Sequence, residues 1–191
     1  MNLRSAARGI LPAALTAVAS AITMSSVSAT PYPDRDLINK MDGSRLALSN
    51  NSTADGTTAI TLRDPAWKYS TEQWDAEETP TPDEPGGWTD VYKNRAANKC
   101  LQPSSATPTR GTTVIVKTCD GSDLQKWLLK PERVNGANTA WWMWRPKTNR
   151  DVALTLNRYN DGSWGSLHLD TAYPSNDRLW RSETNDRPWS L

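Results

Sequence analysis

The sequence predicts an all-β domain made of three pseudo-symmetric four-stranded repeats, and three observations carry that prediction. Trp74, Trp127 and Trp180 stand 53 residues apart. Leu48, Leu101 and Leu154 keep the same period. Between each leucine and its tryptophan a small turn precedes an alternating segment: Gly56-Thr57 before 59–62, Gly111-Thr112 before 114–117, and Gly165-Ser166 before 167–170. Two markers sharing one period over three copies are the signature of a repeat architecture. Alternation over four or more residues is that of half-buried strands.

The elements follow in chain order. Arg4 and Arg8 precede a run from Ile10 to Ile22 that is apolar apart from Thr16 and Ser20. That run is too short to span about 30 Å of hydrocarbon, which takes about 20 helical residues. Val27-Ser28-Ala29 then offers the small residues of a signal-peptidase cut before Thr30. Residues 1–29 are expected to be a removed signal peptide, the alternative being a membrane anchor, and the product a secreted, extracellular protein. Residues 30–36 are expected to be a short extension and 37–191 the domain, large enough for one real core.

In the middle repeat the strands are expected at 91–93, 99–102, 113–118 and 125–129, separated by Asn, Pro, Gly, Ser and Asp as turn chemistry requires. No long helical periodicity interrupts them. Residues 79–87 (Thr-Pro-Thr-Pro-Asp-Glu-Pro-Gly-Gly) are a Pro-rich acidic surface loop between the first and second repeats. Arg187-Pro188-Trp189-Ser190 resembles Pro85-Gly86-Gly87-Trp88 and is expected to supply the last strand.

Composition bounds the function. The formal net charge is +1 with both signs interspersed, which argues against electrostatic capture of nucleic acid, and no stretch after the leader is apolar enough to insert in a membrane. Two cysteines, Cys100 and Cys119, pair by default in an exported chain. With one histidine they make a poor metal set, and no cofactor or metal is expected. Ten Trp, five Tyr and no Phe suit both a β core and recognition of sugar or protein.

Lys99-Cys100-Leu101-Gln102, Gly111 to Val116, Cys119-Asp120-Gly121 and Gln125-Lys126-Trp127 together resemble a ricin-type lectin repeat. The first and third copies resemble it chiefly by position, through Glu72-Gln73-Trp74 and Arg178-Leu179-Trp180. The resemblance implies a β-trefoil with a Cys100–Cys119 disulfide inside the middle repeat. It also implies a shared core of Leu48, Leu101, Leu154, Trp74, Trp127 and Trp180.

The ligand positions depart from that pattern. Sugar-binding repeats of this kind place an Asp after the Cys-Leu pair, then an aromatic, then a polar residue before Gln-x-Trp. Here the first position holds Ser49, Gln102 or Thr155, and the aromatic position falls near Arg63, Lys117 or Asp170. Candidate carbohydrate residues are Asp170, Tyr173, Asn176 and Asp177 in the third copy, with Gln102, Asp120 and Asp123 a weaker set in the middle one. Candidate partner-facing residues are Trp142 and Trp144, which share one strand face opposite Trp141 and Met143, together with Trp67 and Tyr69. Burial of both faces beneath loops is the alternative.

Catalysis is not expected. His168 is the only histidine and sits mid-strand between leucines, and no phosphate loop or metal spacing is present. Two binding functions remain open. One is a secreted carbohydrate-binding protein with degenerate sugar pockets. The other is a protein-binding or cell-binding subunit of a secreted toxin complex, similar to the trefoil binding subunits of cytolethal distending toxins. Its partner would be another subunit or a cell-surface protein rather than a glycan.

Overall fold

The computed structural model describes residues 30–63, 69–80, 87–160 and 164–184. The expected leader, Trp67, most of the Pro-rich loop and the expected strand at 187–190 lie outside the described residues. Among the described residues twelve strands run in three sets of four. The first repeat holds β1 (Thr30–Asn39), β2 (Arg45–Leu48), β3 (Ala59–Leu62) and β4 (Trp74–Pro80). The second holds β5 (Trp88–Asn94), β6 (Lys99–Pro103), β7 (Val114–Thr118) and β8 (Trp127–Val134). The third holds β9 (Ala137–Pro146), β10 (Val152–Asn160), β11 (Trp164–Thr171) and β12 (Leu179–Thr184).

The outer strands of each set close a six-stranded barrel. β1 pairs β4, β4 pairs β5, β5 pairs β8, β8 pairs β9, β9 pairs β12, and β12 returns to β1. Closure removes free sheet edges, which would otherwise invite pairing with other chains. The inner strands form three hairpins, β2–β3, β6–β7 and β10–β11, which cap one end. They interlock at equivalent points, Thr58 with Ile115, Thr113 with His168 and Ser166 with Ile60, the last continued by Gly165 with Thr61 and Trp164 with Leu62. Gly56 and Gly111 make the turns that allow this, at φ of 83° and 88°. Each N–H reaches the next hairpin, Gly56 to Val116 O at 2.8 Å and Gly111 to Leu169 O at 2.7 Å. A side chain there would favour the wrong backbone region.

Repeated tryptophans hold barrel to cap. Trp74, Trp127 and Trp180 are fully buried, and each indole N–H donates to a hairpin carbonyl at 3.0 Å, on Leu46, Leu101 and Leu154. Each large ring contributes roughly 1.5–3 kcal/mol by burial, and the donor is satisfied where it would otherwise carry a desolvation penalty. The first copy is offset. Leu46, not Leu48, occupies the place of Leu101 and Leu154, opposite Thr61 as they are opposite Val116 and Leu169. The first repeat has two extra residues between that pair and its tryptophan, so the 53-residue match at Leu48 is off the structural register. Leu48 is nonetheless buried in the same core, its N–H bonded to Thr71 Oγ1 at 3.2 Å.

Two further differences concern the barrel. Residues 30–36 are not an extension but paired strand: Thr30 lies opposite Glu78, Tyr32 opposite Ala76 and Arg35 opposite Thr184. The tryptophan run of β9 is packed on both faces. Trp144, expected at a partner surface, is a core ring, 1% exposed and stacked on Tyr92 with centroids 4.2 Å apart. Trp142 is half-buried against the same core. On the other face Met143 is buried with Ala153 and Leu179, and Trp141 packs beside them under the Arg181 guanidinium at 4.6 Å. The alternation holds, but the barrel takes one face and the β10 side covers the other.

The Cys100–Cys119 disulfide is present, joining β6 to the segment after β7 with Cα atoms 5.0 Å apart.

Candidate functional site

Each repeat carries a short 3-10 turn before its tryptophan: Ser70–Glu72, Asp123–Gln125 and Asn176–Arg178. The last residue of each turn points inward and is buried: Glu72, Gln125 and Arg178 are 3%, 1% and 5% exposed. The three turns pack in equivalent places, each against the first strand of its own repeat's hairpin, β2, β6 or β10. Their chemistry differs, and so does what lies beside them.

In the middle repeat the space is taken up by the protein's own hydrogen bonds. Gln125 Oε1 accepts from Asp120 N and Gly121 N at 2.9 and 3.3 Å, while its amide donates to Thr118 O at 2.9 Å and Gln102 Oε1 at 3.0 Å. Gln102, a candidate ligand residue, is thus engaged by the motif glutamine. Asp120 is exposed and accepts from Ser122 N, which holds its carboxyl below the usual range. Asp123 pairs with Lys126 and Lys147 at 2.8 and 3.0 Å. The three do not converge on one pocket.

In the first repeat the position is apolar. Ala47, Ile60 and Leu62 form a small buried cluster, with Tyr69 and Trp164 packed on it. Tyr69, expected in a partner-facing patch, is half-buried there and its N–H donates to Glu72 Oε1 at 3.1 Å. Burial pushes the Glu72 carboxyl up to about 7 against the opposing effect of that N–H.

The third repeat keeps a cleft of about 490 Å³, lined by Met41, Thr155, Leu156, Asn157, His168, Asp170 and Asp177. Asp170 stands at its edge with its carboxylate accepting from Thr171 N at 2.7 Å and pairing with Arg110 at 2.7 Å and Arg178 at 3.0 Å. The Thr171 N–H, with help from the two arginines and His168, holds Asp170 below the ordinary range. Asp177 pairs with Arg178 at 2.9 Å and also bonds Ser175.

Only two of the four expected third-repeat residues share this cleft. Arg178 divides the set: Asp170 and Asp177 lie on one side, while Tyr173 lies under the guanidinium at 4.2 Å and opens onto another groove. That groove, about 500 Å³, is lined by Lys130–Arg133, Met143, Ala172–Pro174 and Leu179. Asn176 is exposed on the 3-10 turn. His168, Asn157 and Thr155 were missed. His168 reads as strand interior because leucines flank it, yet that alternation is what turns it away from Leu167 and Leu169 toward the cleft.

No protein-family model and no curated protein sequence matches the chain. Solved structures do. A designed threefold-symmetric protein, ThreeFoil, superposes with a TM-score of 0.62 at 19% identity, over 78% of this chain and 96% of its own. A chain of the Haemophilus ducreyi cytolethal distending toxin matches with a TM-score of 0.60 at 13% identity, over 83% and 87%. The Polyporus squamosus lectin, solved bound to a human-type influenza-binding epitope, matches with a TM-score of 0.59 at 22% identity, over 80% of this chain. This chain spans about half of that lectin, 49% of its length. With the closed six-stranded barrel and the three-hairpin cap, these likenesses make the chain a β-trefoil.

Proposed function

We propose that the chain is a secreted, non-catalytic carbohydrate-binding β-trefoil in which two of three equivalent pockets are degenerate and the third repeat retains one. The observation that carries this is the contrast among the three anchors: among the described residues, the polar cleft lies beside Arg178, lined by Thr155, Asn157, His168, Asp170 and Asp177. A sugar ring requires acceptors around its hydroxyls and a flat surface under its C–H face. Asp170, Asp177 and Asn157 supply the former and the His168 ring the latter. The fold shared with the Polyporus lectin is consistent with this use.

The test is a glycan array with oxidised protein beginning at Thr30. Binding to a defined glycan class is expected, lost in Asn157→Ala and His168→Ala while thermal stability stays unchanged. Binding to no glycan, or binding that survives both substitutions, overturns the proposal.

A second function, a subunit that binds a protein partner, rests on the groove beside Tyr173, a residue 51% exposed that lines it with Pro131, Pro174 and Met143. The toxin chain of the same fold is consistent with it. Loss of partner capture in Tyr173→Ala, with glycan binding absent in the parent, would favour this function over the first.

A further inference from the structure

The barrel interior changes character along its axis. Next to the hairpin cap it is filled by Trp74, Trp127, Trp180 and Leu37, all fully buried. At the opposite end, where β4 leads to β5 and β8 turns into β9, it opens into a cleft of about 360 Å³. Trp88, Trp142 and Tyr32 form its aromatic walls, with Trp144 and Tyr92 also lining it. Trp88 and Tyr32 are each 37% exposed, so their rings are reachable from solvent. Two carboxyls, Glu78 and Asp90, lie in register across the β4–β5 ladder and line the same space.

Asp90 is the unusual group. It is 1% exposed, and one oxygen, Oδ2, accepts the Tyr92 hydroxyl at 2.7 Å. The other, Oδ1, has no hydrogen-bond partner among the described residues, and neither has the Trp144 indole N–H. Buried polar atoms are rarely left in that condition, because each costs about 1–3 kcal/mol. The cation on this side is Arg35, and its guanidinium is directed to β12, donating to Ser182 Oγ and O and to Thr184 Oγ1 at 2.8–2.9 Å. Its charge only partly opposes the burial that raises Glu78, and its hydrogen bonds go to β12 rather than to Asp90.

We propose that this end of the barrel is a binding site for a small organic ammonium ion, whose N–H bonds Asp90 Oδ1 and whose charge lies against the faces of Trp88 and Trp142. Aromatic faces attract cations through their negative quadrupole, most strongly where water is excluded. A volume of this order suits a small ligand. The site uses none of the residues of the third-repeat cleft, so it stands or falls separately from sugar binding.

The pH dependence follows from the groups facing Asp90. Burial pushes its carboxyl up to about 8, against the Tyr92 hydroxyl and with Glu78 adding to the rise. From β4 it faces Glu78, from its own strand Tyr92, and from β1 Arg35 and Tyr32. β8 contributes Leu129, β9 Thr139, Ala140, Trp142 and Trp144, and β12 Ser182 to the same cleft, none of them charged. At pH 6 an entering cation must displace the Asp90 proton, and at pH 8 half of the molecules have already lost it. Affinity therefore rises roughly tenfold per pH unit below about 8.

The experiment is an NMR titration of the indole N–H resonances with cyclohexylammonium chloride, which stays protonated over this range, and with neutral cyclohexanol. Saturable shifts of Trp88, Trp142 and Trp144 are expected with the ammonium, and at least tenfold weaker binding of the alcohol. Asp90→Asn should weaken ammonium binding about tenfold or more, and the exposed Trp88→Ala about three- to tenfold. An unchanged spectrum keeps both variants interpretable as folded. Absence of saturable shifts, equal binding of cyclohexanol, or full binding by Asp90→Asn overturns the proposal. So does a response of these three indoles to a neutral monosaccharide alone.

Discussion

The middle and third repeats place a buried polar residue at the same point of the scaffold, two positions before a core tryptophan, and use it oppositely. Gln125 turns its amide inward and satisfies two backbone N–H groups, one carbonyl and Gln102, leaving the repeat closed on itself. Arg178 has five donors and no acceptor. It must draw carboxylates to itself, and it collects Asp170 and Asp177 around a cleft that remains open. The first repeat adds the third possibility, an acid, Glu72, which bonds its own turn at Tyr69 and leaves the pocket to apolar side chains. One backbone thus supports three electrostatic outcomes, and the anchor residue decides whether a repeat can host a polar ligand.

That comparison breaks most visibly at Arg178. Arg178→Met should cost about 2–4 kcal/mol, since it takes the buried guanidinium from Asp177 and leaves Asp170 to Arg110 alone. Urea unfolding would read this, and a loss below about 1 kcal/mol would mean that the pairs are solvent-screened and do not hold the cleft. Gln125→Ala should cost less, about 1–3 kcal/mol, because the groups it abandons are neutral and some reach water. The Cys100–Cys119 bond in the same repeat should limit the damage to local opening around Asp120, seen as faster amide exchange at Asp120 and Gly121.

The pH-dependent test sharpens the first repeat. Glu72 titrates at about 7 in the fold and lower when unfolded, so the folded state binds more protons between roughly pH 4.5 and 7. Stability from this group is therefore highest below that window and falls as pH rises through it, by at most about 1.4 kcal/mol per pH unit, levelling above. Glu72→Gln should make that part of a Tm-against-pH curve shallower, leaving the fall that Asp90 and Glu78, also raised by burial, contribute over an overlapping range. An unaltered curve would place the raised group elsewhere.

Much of the fold is legible in the sequence. The Trp74, Trp127 and Trp180 period works because a barrel-to-cap ring cannot be replaced by a small side chain without leaving a cavity, so the spacing of such rings traces the repeat. The middle strands were legible for the same reason, through turn residues and alternation. The site was not. Arg178 reads as a weak copy of a motif glutamine, and nothing local says that its guanidinium separates Tyr173 from Asp170 and Asp177. His168 was hidden by its leucine neighbours, although in a strand those neighbours are what point it the other way.

What the sequence determined alone is periodic and covalent: three copies, an all-β chain with alternating faces, large apolar groups at recurring positions, and two cysteines within one copy. These are properties of spacing, and spacing survives without knowledge of neighbours. Tertiary structure decided which equivalents truly superpose, as Leu46 rather than Leu48 does, and that Trp144 lies inside the barrel while Trp88 lies at its mouth. It also decided which of three homologous positions stays open. Those outcomes depend on side chains brought together from different repeats across the threefold axis, and their energies are pairwise terms that a linear pattern does not contain.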